Sequence, residues 1–287
     1  MMRGISKKNR GSVLVTVLWL ITTMALFAIG LTRITSATYR FAKRQEGNVI
    51  SADAVNAIVM QLKSALLDDI TPDYDTFSEL LKGEKIEIGQ VIIVYSISDE
   101  TSRININTAN SATVEKFPSL NSDKATEIRT SEYRPFYPKE ELMMIDEIDE
   151  DIYNEIKDII TVYGSGRINI NTCSEDILEY IGLDQGLIDA IVVYRKGEDG
   201  EEGTEDDGFF ESTDIIVSNI KERFRLTARE EQEISDFITK NIFGVNSDHY
   251  RIEADVYLNK KPIKRFLVIM GKDVNNNDYK IKEWKEA

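Results

Sequence analysis

The sequence predicts an α+β protein: a long N-terminal helix, an antiparallel β-sheet, and a large α-helical domain inserted into that sheet. Three observations lead to this class. Residues 12–32 form an uncharged apolar run of 21 residues. Stretches rich in β-branched and aromatic residues occupy 86–98 and 249–271, the second with alternating patterning. The residues between them, 103–244, have mostly helical patterning. Because the strand-rich stretches flank the helical one, they predict a single sheet with an insertion.

Composition excludes several classes of function. The 287 residues include 50 acidic and 35 basic side chains, a formal net charge of −15, which argues against a nucleic-acid-binding surface. A lone cysteine, Cys173, excludes an intramolecular disulfide, and a lone histidine, His249, excludes a multi-histidine metal site. Nucleophile-elbow, phosphate-loop and zinc-protease motifs are absent from the sequence. We therefore expect no catalytic residues, no enzyme activity and no nucleic-acid partner.

The N-terminal region predicts a membrane anchor. Residues 1–11 hold four basic side chains and no acid, and a helix over 12–32 would cross about 30 Å of hydrocarbon. The basic flank places the N-terminus in the cytoplasm and the acidic body across the membrane. Apolar residues then continue at three- and four-residue spacing, which predicts an amphipathic extension over 33–68. A plain uncleaved anchor is one interpretation of this region.

A sharper interpretation comes from the junction between the basic flank and the apolar run. Residues 7–11 read KKNRG, and Ser12 opens the run. This resembles the short basic leader of type IV pilins and pseudopilins, which prepilin peptidase cleaves after the glycine. The resemblance implies that 1–11 is a prepilin leader, that the scissile bond joins Gly11 to Ser12, and that Ser12 is then often methylated.

The fifth residue after this bond is Thr16, where most members of the family have glutamate. In the family, that carboxylate is thought to meet the N-terminal ammonium of the subunit ahead in the filament. An unpaired carboxylate inside a bilayer costs roughly 2.5–3.5 kcal/mol. A subunit with nothing ahead of it should therefore lack the glutamate, and Thr16 fits a subunit at the tip.

The hexapeptide RININT occurs twice, at 103–108 and 167–172, and amphipathic helical segments follow each copy. The repeated asparagines predict turn or capping devices at strand-to-helix junctions. Thr172 and Glu175 have capping-box spacing, and Asn110 or Ser111 could cap the first copy.

The repeat resembles helix-hairpin-helix modules, including those of membrane-anchored competence DNA receptors. Such modules bind phosphate through a glycine-rich hairpin. The corresponding stretch here, 117–122, lacks glycine, and a later candidate, 145–150, carries four acids. DNA binding is therefore the alternative hypothesis and not the preferred one.

The chain is more similar to the general secretion pathway protein K family, the large minor pseudopilins of type II secretion. The similarity includes the leader without glutamate, both RININT copies, the YRPF segment at 133–136, the acidic stretch 197–211 and FGVNSDHYRI at 243–252. It implies location in the bacterial inner membrane, with a periplasmic C-terminal domain. Minor pseudopilins I and J, the major pseudopilin and prepilin peptidase are the implied partners.

This resemblance also implies the domain organisation. After the leader and the transmembrane segment 12–32, a pilin-like sheet domain would comprise 69–101 and 245–287. The inserted α-helical domain would occupy 102–244.

The acidic stretch has two interpretations. Residues 197–211 contain eight acids and no base, which is typical of a solvated loop. The family's inserted domain instead implies a calcium site, and hard oxygen ligands in a glycine-punctuated loop suit Ca²⁺. The expected ligands are Asp199, Glu202, Thr204 through its carbonyl, Asp206, Asp207 and Glu211.

Taken together, these patterns predict a minor pseudopilin that helps to form the tip of a periplasmic pseudopilus. The alternatives are a competence-type DNA receptor, a substrate-binding or scaffold domain on an ordinary anchor, and, last, a degradative enzyme.

Overall fold

A computed structural model describes residues 10–69, 71–80, 84–273 and 278–286. The residues up to Ala54 and those from Val55 onward form two compact units. The α-helices are α1 (Arg10–Leu67), α2 (Ser111–Val114), α3 (Ser122–Thr130), α4 (Glu150–Ile156), α5 (Glu175–Ile181), α6 (Gln185–Arg195), α7 (Ile216–Arg223) and α8 (Ala228–Thr239). The strands are β1 (Glu84–Ile88), β2 (Val91–Asp99), β3 (Ile104–Asn105), β4 (Ile160–Thr161), β5 (Ile168–Asn169), β6 (Phe243–Gly244), β7 (His249–Leu258), β8 (Lys261–Asp273) and β9 (Asp278–Glu286).

The predicted long N-terminal helix is confirmed: α1 runs for 58 residues. Within the described residues it is the one helix that is long and apolar enough to cross a membrane. Its large apolar side chains are exposed from Val13 to Leu31. Several threonines donate their hydroxyls to a carbonyl one turn earlier, as Thr22 and Thr32 do. Such bonds let a polar side chain sit in a lipid-facing helix without an unsatisfied donor.

The predicted antiparallel sheet is also confirmed. Its strand order is β1-β2-β7-β8-β9, and every neighbouring pair is antiparallel. The β-rich stretch at 86–98 is two strands, because the chain turns at Gly89 with φ of 62°. The β7–β8 hairpin turns at Asn259 and Lys260, both with positive φ, as a two-residue hairpin requires. The turn expected at 275–278 joins β8 to β9, and its residues 275–277 lie outside the described part of the chain.

The sheet therefore takes its strands from both sides of a helical segment. Alternate residues of β2, from Val91 to Asp99, are buried, and so are four of their partners on β7: Tyr250, Ile252, Ala254 and Val256. The last turns of α1 carry a buried stripe at helical spacing: Val55, Ile58, Val59 and Leu62. Lys63 on the same turns forms an ion pair of 2.7 Å with Asp278 at the start of β9.

The helical segment contains a structural duplication. The short strand β3 pairs in parallel with β4, and β5 pairs in parallel with β6. Each first strand begins a RININT copy, and each leads to a pair of short helices, α2–α3 and α5–α6. One hydrophobic core, drawn from Ile104 to Val245, unites both copies. The resemblance of these helix pairs to helix-hairpin-helix modules stays a prediction.

The second asparagine of each copy holds a distant phenylalanine by its backbone. Asn107 Nδ2 donates to the Phe136 carbonyl at 2.8 Å, and the Phe136 N–H donates back to Asn107 Oδ1 at 2.9 Å. Asn171 and Phe210 repeat the pattern at 3.0 and 2.9 Å. Both phenylalanines are 0–1% exposed. These two asparagines thus hold a distant loop against the core. The predicted local turns are made by Asn105 and Asn169, whose Oδ1 atoms accept the N–H groups of Asn107 and Asn171.

The cap predictions have mixed outcomes. Asn110 caps α2 by accepting from the Thr113 N–H. The capping box predicted for Thr172 and Glu175 is wrong, because Ser174 is the N-cap of α5. The Thr172 hydroxyl donates instead to Asp99 Oδ2 at 2.5 Å. A buried carboxylate from the sheet competes for this hydroxyl, and the helix starts two residues later.

Candidate functional site

The predicted processing site lies within the described part of α1. Gly11 and Ser12 are helical, and Thr16 follows one turn later. Residues 1–9 of the predicted leader lie outside the described residues. Gly11 and Ser12 are therefore in helical backbone directly before the apolar residues, and the cleavage itself stays a prediction.

The acidic stretch folds onto its own backbone. Asp206 Oδ2 accepts the N–H groups of Glu198 at 2.5 Å and Asp199 at 3.2 Å. Those two bonds and the Thr204 hydroxyl lower the pKa of Asp206 to about 2. Asp207 accepts from the Gly203 N–H and from the Thr204 hydroxyl. The loop thus stabilises its charges with its own amides and one hydroxyl.

Arg195 anchors the loop from inside. This arginine is 3% exposed, and its Nη2 donates to Glu202 Oε1 at 2.6 Å. Its Nη1 donates to the carbonyls of Ile170 and Cys173 at 3.2 and 2.6 Å. The guanidinium also lies 5.2 Å from the centre of the Phe77 ring, beside a cavity of about 300 Å³. No sequence motif marked Arg195, because its contacts are set by the fold.

The expected calcium ligands are only partly brought together. The Thr204 hydroxyl lies within hydrogen-bond distance of both Asp206 and Asp207, while Glu202 is bound to Arg195. Among the described residues, no three Asp, Glu, His or Cys side chains are placed to hold a metal ion. Calcium binding by this loop therefore stays a prediction.

A second cluster joins the sheet to the helical segment at Asp99, the last residue of β2. Asp99 is 1% exposed. Its Oδ1 accepts the N–H and hydroxyl of Thr101, both at 2.7 Å. Its Oδ2 accepts from Asn169 at 3.0 Å, from Thr172 and from the Ser247 hydroxyl. One carboxylate therefore ties β2 to the second RININT copy and to the segment before β7. No sequence pattern marked Asp99 for this role.

The next residue, Glu100, forms a buried ion pair with Arg251 on β7. Arg251 Nε lies 2.6 Å and Nη2 3.2 Å from the two carboxylate oxygens. Thr161 donates to Glu100 at 2.6 Å, and Arg103 lies 3.3 Å away. Burial raises the pKa of Glu100, but the bonds and charge of Arg251, with the charge of Arg103, lower it below its ordinary value. Glu100 is thus ionised and fixed at the junction.

Asp75 makes the stability of this junction depend on pH. It accepts from the Ser247 N–H at 2.6 Å and from the Tyr250 hydroxyl at 2.7 Å. Burial and, to a smaller extent, the charge of Asp99 raise the pKa of Asp75 from 3.8 to about 6, despite those two bonds. The folded state therefore favours the protonated acid. This stabilisation is present below the unfolded pKa and is lost as the pH rises through about 6.

We expect Asp75 alone to lower the free energy of unfolding by about 3 kcal/mol between pH 3 and pH 7. Chemical unfolding of the detergent-solubilised protein across that range, compared with Asp75→Asn, isolates this contribution. The difference between the two proteins should change with pH mainly between 4 and 6. A pH-independent difference would contradict the assignment.

A comparison with solved structures supports this architecture. No protein-family model matches the sequence, and no curated protein sequence matches it. The fold is similar to that of a chain in the crystal structure of the GspK-GspI-GspJ complex from the enterotoxigenic Escherichia coli type 2 secretion system. The TM-score is 0.60 at 14% identity, and the match covers 87% of this chain and 99% of that chain. The resemblance inferred from the leader and the repeats is therefore confirmed at the level of the fold.

Proposed function

We propose that this protein is a minor pseudopilin of a type II secretion system and helps to form the tip that initiates the periplasmic pseudopilus. The observation that carries the proposal is the likeness in fold, over 87% of the chain, to a component of the GspK-GspI-GspJ complex. The long apolar helix α1 supports it. A geometric role of this kind needs no catalytic residue.

The proposed partners follow from the same likeness. The similar chain belongs to a complex with two further Gsp proteins, so we propose minor pseudopilins I and J as direct partners. Prepilin peptidase would process the chain at Gly11, and the major pseudopilin would extend the fibre below it. The protein would span the inner membrane once, with its N-terminus in the cytoplasm and its body in the periplasm. Coexpression with I and J, followed by purification through a tag on this chain, should recover all three.

A substitution at Thr16 tests the tip position. Thr16→Glu would place a carboxylate in the bilayer with no subunit ahead to supply an ammonium, at roughly 2.5–3.5 kcal/mol. We expect fewer fibres to be initiated when this variant replaces the native copy, counted by electron microscopy of sheared cells. Thr16→Val, which adds no charge, should initiate normally. Full initiation by Thr16→Glu would contradict the tip assignment.

Calcium binding by the acidic loop is a further part of the proposal. The eight acids of 197–211 repel one another, and a divalent cation would relieve that repulsion. At a hundredfold excess over Kd, Ca²⁺ should add about 2.7 kcal/mol to the free energy of unfolding. The corresponding rise in Tm is about 5–10 °C relative to chelator.

Two double variants give this measurement its control. Asp199→Asn with Asp207→Asn should abolish the rise in Tm. Asp146→Asn with Glu147→Gln removes the same charge from another exposed acidic segment and should leave the rise intact. An equal Tm with Ca²⁺ and with chelator in the wild type would remove calcium from the proposal.

The DNA-receptor alternative finds little support. The four acids of 145–150, namely Asp146, Glu147, Asp149 and Glu150, are all exposed. A phosphate backbone would be repelled there. A duplex-DNA gel shift at low salt should show no binding by the wild type, and salt-sensitive binding would favour the alternative.

A further inference from the structure

We propose that α1, just beyond its apolar segment, binds the anionic headgroups of membrane phospholipids. Arg33, Arg40 and Arg44 are exposed on this part of the helix. At 3.6 residues per turn they lie within an arc of about 40° and over a length of about 16 Å. We call them the arginine stripe. The inference rests on the membrane anchor of the proposed function and adds a lipid partner to it.

The stripe has no counterion on its own face of the helix. All 50 acidic residues of the chain come after residue 45. The first of them, Glu46, lies about 140° around the helix from Arg33. A row of cations without neighbouring acids on its element attracts anions from outside. A bilayer that contains anionic phospholipid presents such anions directly beside the apolar segment.

The position along the helix fits the headgroup layer. Arg33 follows the uncharged run 12–32 directly, and so emerges where the hydrocarbon ends. Arg40 Nε donates to the Ser36 carbonyl at 3.2 Å, which turns this side chain back toward the membrane. Tyr39 and Phe41, 64% and 65% exposed, flank the stripe, as interfacial aromatic residues do.

The positive-inside rule of membrane topology does not explain the position of the arginine stripe. The apolar run is followed by as many basic residues as the N-terminal flank contains, namely Arg33, Arg40, Lys43 and Arg44. In the proposed orientation they lie on the translocated side, where basic residues oppose export. Binding of anionic headgroups on that side accounts for their presence there.

The test measures which lipids the purified full-length chain retains. Equal amounts of phosphatidylglycerol and phosphatidylcholine are added in detergent, and native mass spectrometry counts the bound lipids. At low salt we expect a preference for phosphatidylglycerol of about fivefold for each engaged arginine. High salt should remove most of it. Arg33→Gln with Arg40→Gln and Arg44→Gln should bring the ratio close to one.

A matched control removes the same charge elsewhere. Arg225→Gln with Arg229→Gln and Lys240→Gln changes exposed residues around α8 and should keep the wild-type ratio. Equal ratios in the wild type and the stripe variant would overturn the proposal. The proposal would also be overturned if the stripe variant kept the wild-type lipid ratio but no longer co-purified with other pseudopilins. The stripe would then be a protein contact.

Flotation with phosphatidylcholine vesicles separates this inference from the proposed function. Uncharged vesicles report on the apolar segment alone, and we expect both variants to float. Failure of the wild type to float would contradict the anchor and the stripe together. Normal flotation without a preference for phosphatidylglycerol would overturn the stripe and leave the anchor in place.

Discussion

Replacing Asp99 by alanine is expected to lower the free energy of unfolding by roughly 3–5 kcal/mol. The carboxylate accepts five hydrogen bonds in a site that is 1% exposed. Its removal leaves buried donors on Asn169, Thr172 and Ser247 without their acceptor. Because these residues belong to the second RININT copy and to the segment entering β7, the helical segment should also loosen from the sheet.

Two comparisons isolate this effect. Asp99→Asn keeps the volume but turns an amide nitrogen toward two or three donors, so it should cost about 2–3 kcal/mol. Asp255→Asn makes the same change on β7, at an exposed ion pair with Arg265 of β8, and should cost under about 1 kcal/mol. Denaturant unfolding measures the loss of stability. Limited proteolysis between residues 99 and 103 measures the loosening of the helical segment. Equal stability of the variants at 99 and 255 would contradict the junction described here.

Replacing Glu100 by glutamine is expected to be about as damaging, at roughly 3–5 kcal/mol, because it leaves Arg251 buried without its counterion. Side chains of both partners are 2–4% exposed, so water cannot replace the lost charge. Lys139 adds to the imbalance: burial and the nearby Arg251 lower its pKa to about 8, and the charge of Glu100 opposes that shift. The wild-type contribution of Glu100 is present above its unfolded pKa and is lost as the pH falls through the lower folded pKa.

A double-mutant cycle separates the pair from its surroundings. Glu100→Gln and Arg251→Met should each destabilise strongly, while the two together should recover much of the loss. The recovery will be partial, since Arg103 and Thr161 also contact Glu100. Costs that simply add would show that the two residues do not act as a pair.

Local signals predicted much of the fold. The uncharged run predicted α1, and the turn at Asn259 and Lys260 predicted the β7–β8 hairpin with its two positive φ angles. The repeated asparagines predicted local turn devices, which Asn105 and Asn169 are, since each accepts the N–H of the residue two positions on. In each case the deciding interaction lies within a few residues or repeats along the chain, so the sequence pattern carries it.

Long-range contacts could not be predicted from such local patterns. Asp99 binds Asn169 and Ser247, partners 70 and 148 residues away. The Thr172 capping box failed because that same carboxylate takes the hydroxyl. The conformation of the acidic loop could not be predicted from the sequence either, because the buried Arg195 sets the orientation of the Glu202 side chain. A sequence displays the charges of such residues but not the neighbours that neutralise them.

The bond between Gly11 and Ser12 provides the most direct test of the pseudopilin assignment. The full-length chain is coexpressed with prepilin peptidase, extracted from the membrane, and subjected to N-terminal sequencing beside a sample made without the peptidase. We predict a chain that starts at Ser12 only when the peptidase is present. A chain that still starts at Met1 or Met2 after coexpression would contradict the pseudopilin assignment.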